Sequence, residues 1–328
     1  MEKITWNVYD QFRCIAEKCT DSCCAGWEVD VDDAAVAYYP SLEGPLGERL
    51  NQVLQDGAML LENGRCPMWR QDGLCEIQAR LGHDALCQVC REYPRLYMDY
   101  GDFAEWGLEL SCPEAARLIF EGLAVTTEQA CGGTEPEYDP ELMTILQKSR
   151  NEVLAFLENT AYSVPQTLAV ILLFAHQVQG AVDGGAYVPL QPEDSLTLAQ
   201  KYAGAPDYSL IIDFFKGLEI LTQRWQKRLD NPQGGNWDRR LLTFAKYLIR
   251  RYWLQAVWDY DLVCRVKFIV TACILVNGLG GDTAATAQLF AKEIENDPDN
   301  REAILDGAYS QSAFTDANLL GLLIKITP

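Results

Sequence analysis

The sequence predicts a mainly α-helical protein: an N-terminal cysteine-rich metal-binding module with short strands and helices, followed by a helical array. Two observations predict this class. Nine of the 12 cysteines lie between Cys14 and Cys112, and apolar residues recur at helical spacing after residue 140. Because residues 131–140 are rich in glycine, proline and acids, we expect a cysteine-rich module at 1–130, a linker at 131–140 and an all-helical domain at 141–328.

The cysteines of the first third are candidate metal ligands. Thiolates are soft, charged ligands that are costly to bury alone, so many thiols in one region need either disulfides or a metal. The start, MEKITWNVYDQFRC, has no apolar run typical of a signal peptide, so we expect a reducing cytoplasm, which favours a metal. The candidate ligands are Cys14, Cys19, Cys23, Cys24, Cys66, Cys75, Cys87, Cys90 and Cys112.

The spacing of these cysteines limits which of them can share one centre. Cys87 and Cys90 are three positions apart and Cys19 and Cys23 are four apart, so each pair can face one side of a helix or turn. Adjacent Cys23 and Cys24 point in different directions, so one of them can serve a second centre or act as a reactive thiol. Four thiolates suit either a structural zinc site or an iron–sulfur cluster, and nine could supply one centre or two.

Caps and breaks predict the first elements of the module. Residues 6–13 suit a short extended or irregular lead-in. Residues 30–40 suit a short strand followed by a helix, which Asp32 or Asp33 caps and a proline ends. A second helix is expected at 44–54.

The later part of the module contains more turns and a clear helix start. Residues 63–73 place Cys66 on a loop, and residues 74–81 then lead into a small helical stretch around Cys87 and Cys90. Pro113, followed by an acid in the first turn, predicts a helix that begins there. Cys112 is therefore expected at or next to the positive end of that helix.

The second half shows helical periodicity without competing strand-like alternation. Helices are expected at 141–158, 165–178, 195–202, 209–229, 237–257, 262–279, 283–294, 301–309 and 315–326. The glycine-rich run at 277–282 follows a predicted helix instead of a strand, so we interpret it as a helix end and not as a phosphate loop.

The charge of the chain excludes several classes of partner. The formal net charge is −20 and the pI about 4.5, which argues against nucleic acid and anionic membranes, because phosphate neutralisation needs clustered basic residues. Polar residues interrupt the apolar runs before they reach the roughly 18–20 residues of a membrane span. The acidity suits a basic or lysine-bearing partner, or it serves only solubility.

Four further residues are candidates for cofactor binding. Arg91, Tyr93 and Arg95 come directly after Cys90, and the two arginines either clamp a carboxylate, offset thiolate charge or form a structural ion pair. Trp27 either lines a pocket for a methylene-rich side chain or a sulfonium, through cation–π attraction, or packs in the core.

Three stretches carry a resemblance to a known family: FRCIAEKCTDSCCAGWEVDVD at 12–32, CPMWRQDGLCEIQARLGHDALCQVCREYPR at 66–95 and LELSCPEAARLIF at 108–120. In this order they resemble the flagellin lysine-N-methylase family and, more distantly, cysteine-cluster proteins described as zinc or iron chelators. A weaker similarity continues through RVKFIVTACILVNGL at 265–279 and AKEIENDPDN at 291–300.

The resemblance implies methyl transfer from S-adenosylmethionine to the ε-amine of lysines on flagellin or another lysine-bearing protein. It also implies an iron–sulfur cluster, expected to be of the 4Fe-4S type with zinc as the alternative, held by the cysteines of the matching motifs. The competing hypothesis is a non-catalytic zinc- or iron-binding interaction protein, or a redox sensor that uses a spare thiol.

Overall fold

The computed structural model describes residues 1–25, 29–130 and 132–324, and it confirms a mainly α-helical class with a small sheet. The strands are β1 Glu2–Trp6, β2 Val29–Asp30, β3 Leu54–Gln55, β4 Ala58–Met59, β5 Arg95–Asp99, β6 Phe103–Leu108 and β7 Val125–Gln129. The helices of the first part are α1 Asp33–Tyr38, α2 Pro45–Val53, α3 Glu76–Leu81, α4 Gln88–Glu92 and α5 Pro113–Glu121. Those of the second part are α6 Pro140–Leu157, α7 Val164–Val182, α8 Pro192–Tyr202, α9 Tyr208–Lys216, α10 Gln223–Asp230, α11 Arg240–Tyr252, α12 Ala256–Asp259, α13 Leu262–Leu279, α14 Thr283–Phe290, α15 Pro298–Ser310 and α16 Asp316–Ile324.

A four-stranded sheet in the order β5-β6-β1-β7 joins the start of the chain to residues 95–129. β1 runs parallel to β6, with Lys3 opposite Ala104, and antiparallel to β7. β5 pairs antiparallel with β6. The sequence predicted only an extended or irregular lead-in near the start and not this pairing, because the partners of β1 lie about a hundred residues away along the chain.

A second, smaller core lies within the cysteine-rich region. The three-stranded antiparallel sheet β2-β4-β3 and helices α1 to α4 enclose it. Its buried members are Val29, Val31, Ala35, Tyr39, Leu46, Leu50, Val53, Met59, Cys66, Met68, Ile77, Leu86 and Cys87. Several candidate ligands are therefore part of a packed interior.

The predicted elements of the cysteine-rich region are largely confirmed. Asp32 caps α1, because its Oδ1 accepts a hydrogen bond from Ala35 N at 3.2 Å. Helix α2 lies within the predicted range 44–54. Cys112 is the N-cap residue of α5, directly before Pro113.

The helical array agrees with the periodicity of the sequence except at three places, one of which is the helix expected at 237–257, where a 3-10 turn at Trp253–Gln255 separates α11 from α12. Helix α13 coincides with the predicted 262–279. The single helix expected at 209–229 is wrong, because Gly217 ends α9 and Thr222 caps α10 through a 3.2 Å hydrogen bond from Trp225 N. Helix α14 continues into a π-helical turn, Ala291–Glu295.

Among the described residues, α13 is the helix that is long and apolar enough to cross a membrane, and 89% of it is buried inside the protein. It packs against α7, α11 and α15. This central position accounts for its apolar composition.

The main core draws on both parts of the chain. Trp6, Phe103 and Ile119 pack in one cluster with residues of the array such as Leu168 and Phe290. The division into a cysteine-rich module at 1–130, a linker at 131–140 and an all-helical domain at 141–328 stays a prediction.

Candidate functional site

Eight of the nine cysteines of the first third lie in two neighbouring groups, and all nine are free thiols. The core thiols, defined as Cys24, Cys66, Cys75, Cys87 and Cys90, lie in or against the second core. The outer thiols, defined as Cys14, Cys19 and Cys112, affect one another electrostatically. Cys23 lies between the groups, since it interacts with both Cys24 and Cys19.

Short helices and turns position the core thiols. Cys75 and Cys87 are the N-cap residues of α3 and α4, and Cys90 follows within α4. Cys66 is held beside Cys24, because Cys66 N donates to Cys24 O at 2.8 Å. Helix starts and a backbone hydrogen bond thus bring distant parts of the sequence to one place.

Hydrogen bonds between the core thiols shift the pKa values of the two partners in opposite directions. The Cys90 thiol donates to Cys87, which lowers the pKa of Cys87 to about 7 and raises that of Cys90. Hydrogen bonding from Cys24 likewise lowers the pKa of Cys66. Hydrogen bonding from Cys23 acts to lower the pKa of Cys24, but donation to Cys66 and burial outweigh it and raise this pKa to about 12.

The outer thiols differ in exposure. Burial raises the pKa of Cys112 to about 12, although backbone N–H groups at the start of α5 act to lower it. Burial also raises the pKa of Cys19. Cys14 and Cys23 are exposed, and hydrogen bonding to Cys24 raises the pKa of Cys23.

The donor set suits a sulfur-bound metal centre by its chemistry, but the thiols do not surround one point. Among the described residues, no group of three or more His, Cys, Asp or Glu side chains has an arrangement that could hold a metal ion. Hydrogen bonds join Cys24 to Cys66 and Cys87 to Cys90, and the charges of Cys75 and Cys87 act on Cys66 across these pairs. The candidate ligands therefore share a neighbourhood without forming a closed ligand shell.

The candidate cofactor-binding residues have separate partners. Arg91 Nη1 donates to Leu86 O at 3.3 Å. The Arg95 guanidinium lies 5.5 Å from the ring centroids of both Tyr9 and Phe12. The candidate Trp27 lies outside the described residues.

Tyr93, the remaining candidate, lies near the outer thiols. Its hydroxyl is 3.1 Å from Ser111 Oγ. Burial raises the pKa of Tyr93, and the charge of Cys112 acts in the same direction. Tyr93 thus faces the start of α5.

A buried lysine that the sequence analysis missed connects the helical array to the cysteine loop. Lys292 Nζ lies 2.7 Å from Asp21 Oδ1 and donates to Ser22 O at 3.0 Å. Gln288 Nε2 donates to Ser111 O at 2.6 Å. The sequence signal for this contact was the run AKEIE at 291–295, where three charges interrupt an apolar helical pattern.

The chain is distantly similar to proteins whose names refer to the flagellum and to lysine methylation. It is 27% identical over 172 residues to the Flagellar biosynthetic protein FliU of Salmonella muenchen, and this alignment covers 47% of this chain and 90% of that protein. It is 24% identical over 218 residues to the Lysine-N-methylase of Salmonella typhimurium and 24% identical over 217 residues to that of Salmonella choleraesuis. Each of these two alignments covers 61% of this chain and 48% of the relative, so the chain spans about half the length of the lysine-N-methylases that it matches. No family model and no solved structure matches the chain.

Proposed function

We propose that this protein is a methyltransferase that acts on the ε-amine of lysines in a protein partner, with flagellin as the first candidate substrate. The observation that carries the proposal is the similarity to two proteins named lysine-N-methylase over 61% of the chain. The name of the other relative, the Flagellar biosynthetic protein FliU, supports a flagellar substrate. The net charge of −20 suits a partner that presents lysines.

We propose S-adenosylmethionine as the methyl donor, which supplies a methyl group on a positively charged sulfur. In the reaction the lysine nitrogen lone pair forms the new bond to carbon, the electrons of the broken carbon–sulfur bond stay on sulfur, and the amine loses one proton. The protein therefore has to bind a lysine side chain, hold its nitrogen toward the donor and provide a path for the proton.

We further propose that the core thiols hold an iron–sulfur cluster, with zinc as the alternative. Their number, their free state and their shared neighbourhood support this assignment. The outer thiols and Cys23 are the remaining candidate ligands, for the same centre or for a second one. Such a centre would supply a binding or redox site for the methyl donor.

The direct test is a methyl-transfer assay. Protein purified without oxygen is incubated with isotopically labelled S-adenosylmethionine and flagellin, and the lysines of flagellin are then examined by mass spectrometry. We expect label on lysine nitrogen, and none when flagellin is supplied with its lysines chemically acetylated. Absence of label with protein whose metal centre is intact would overturn the proposal.

The second candidate function is a non-catalytic zinc- or iron-binding interaction protein or a redox sensor. The exposed thiols of Cys14 and Cys23 favour it, because accessible thiols can be oxidised and reduced without a substrate pocket. Colourless protein that holds stoichiometric zinc and transfers no methyl group would support this function over the first.

A further inference from the structure

An open cavity of about 430 Å³ lies beside α10 and the loop that follows it. Three basic and two amide side chains line it: Arg224, Lys227, Arg228, Asn231 and Gln233. Its volume falls within the range of roughly 300–1,000 Å³ that is usual for small-molecule sites. Because the whole chain has a net charge of −20, this basic lining reverses the charge of the protein locally.

No carboxylate neutralises the three basic side chains of the cavity. In the part of the chain that the structure describes, none of the three forms an ion pair. Asp230, at the end of α10, lies 3.0 Å from Lys216 Nζ, and Asp282, the cap of α14, lies 2.7 Å from Arg240 Nη2. The positive charge of the cavity is therefore available to a ligand.

The stability of α10 does not explain this charge. Helix α10 begins at Gln223, so Arg224 lies in the first turn, where the positive end of the helix dipole disfavours a cation. Arg224 and Arg228 are also four positions apart, a spacing at which like charges destabilise a helix. An anion bound in the cavity would offset both effects.

The glycine-rich end of α13 fixes one side of the cavity. Arg228 Nη1 donates to Gly280 O at 2.9 Å. A Cβ atom on Gly281 would lie 2.7 Å from the same nitrogen, so the glycine makes room for the guanidinium. Gly234 N donates to Gly278 O at 2.9 Å, which fastens the loop after α10 to the end of α13. Main-chain contacts thus hold both the arginine and the loop in place before any ligand binds.

We propose that this cavity binds the phosphate group of a small molecule, either the free ion or a phosphate ester. At neutral pH a phosphate ester carries about −1.5 to −2 charges and three acceptor oxygens, which suits three basic side chains better than a carboxylate with one charge. Within the described residues, Arg228 Nη2 has no acceptor, and arginine binds phosphate oxygens through its planar fork. This site serves no step of the proposed methyl transfer.

The test is a ³¹P NMR titration of the full chain, purified without oxygen, at constant ionic strength. The two probes are inorganic phosphate and glycerol 3-phosphate, and hexaglutamate serves as a competitor that represents an acidic protein segment. The variants are Arg224→Gln, Arg228→Gln and Arg228→Lys. The matched control is Lys201→Gln, which removes one positive charge from the exposed last turn of α8, outside the cavity. Circular dichroism verifies that each variant remains folded.

We expect the wild type to bind at least one of the two phosphates saturably, and Lys201→Gln to bind it with the same affinity within about twofold. Arg224→Gln and Arg228→Gln should each weaken binding about tenfold or more, because each removes a charged hydrogen bond. Arg228→Lys should lose less, since it keeps the charge without the fork. The probe that binds more tightly shows whether the site takes the free ion or an ester.

Three results would overturn the inference. The first is the absence of saturable binding of both phosphates to the wild type. The second is unchanged affinity in folded Arg224→Gln and Arg228→Gln, or an equal loss in Lys201→Gln, which would show that net charge alone attracts the anion. The third is tighter binding of hexaglutamate than of either phosphate, which would assign the cavity to an acidic protein segment.

Discussion

Lys292 and Asp21 form an ion pair of 2.7 Å across 271 positions of the sequence. The lysine side chain is only 3% exposed and the aspartate side chain 23%. Asp21 lies between Cys19 and Cys23, and Lys292 belongs to the π-helical turn of the array. The pair therefore holds the cysteine loop against this π-helical turn.

Replacing Lys292 by methionine should destabilise the fold and loosen the cysteine loop. The change leaves Asp21 without this ammonium partner in a partly buried place, for which we expect a loss of about 3 kcal/mol in the free energy of unfolding. Urea unfolding measures the loss, and the rate of Cys23 alkylation, which should rise, reports on the loop.

The matched control for this change is Lys216→Met. Lys216 pairs with Asp230 at 3.0 Å, but the two side chains are 36% and 47% exposed. A solvated pair of this kind contributes less than about 1 kcal/mol. Equal losses in the two variants, or an unchanged alkylation rate in Lys292→Met, would contradict the role assigned to Lys292.

A glycine on β6 makes room for the tryptophan that anchors β1. A Cβ atom on Gly107 would lie 2.8 Å from the Trp6 ring, which is fully buried and cannot move aside freely. We therefore expect Gly107→Ala to destabilise the protein by about 1–3 kcal/mol. Gly180→Ala in α7 has no atom within 4 Å of the new Cβ, and it should stabilise by up to about 1 kcal/mol. Thermal unfolding of both variants would refute this account if Gly107→Ala melted at or above the wild-type temperature.

Glu295 should give the stability of the protein a particular dependence on pH. Burial raises the pKa of Glu295 in the folded state above its ordinary value of 4.5. Its contribution to stability is therefore full below 4.5 and is lost as the pH rises through the folded pKa. The unfolding free energy of the wild type minus that of Glu295→Gln should therefore fall as the pH is raised from 4.5 through the folded pKa of Glu295. Urea unfolding at a series of pH values checks this, and a difference that stays constant or rises with pH would contradict it.

Local sequence signals predicted the helices well and the strand pairing poorly. Helix α13 could be predicted to the residue, because a long apolar run stands between the cap Asp261 and Gly280. The break between α9 and α10 was missed, since apolar spacing continues across Gly217 and Thr222 and only the cap geometry divides it. The parallel pairing of β1 with β6 depends on contacts between distant residues, which no local pattern specifies.

The candidate site was predictable only in part, for a similar reason. The cysteines stood out by type and spacing, and the structure places them in two neighbouring groups. Lys292 and Asp21 could not be connected from the sequence, because the role of a lysine or an aspartate depends on the burial and the partners that the fold gives it.

The most direct test of the account is the metal and sulfide content of anaerobically purified protein. We predict iron, acid-labile sulfide and broad visible absorption in the wild type, and the loss of all three in Cys87→Ser. Cys264→Ser should retain them, since Cys264 lies on α13, where its Sγ contacts Asp261 O at 3.6 Å. Wild-type protein without bound metal, or equal metal content in all three proteins, would contradict the claim that the core thiols hold an inorganic centre.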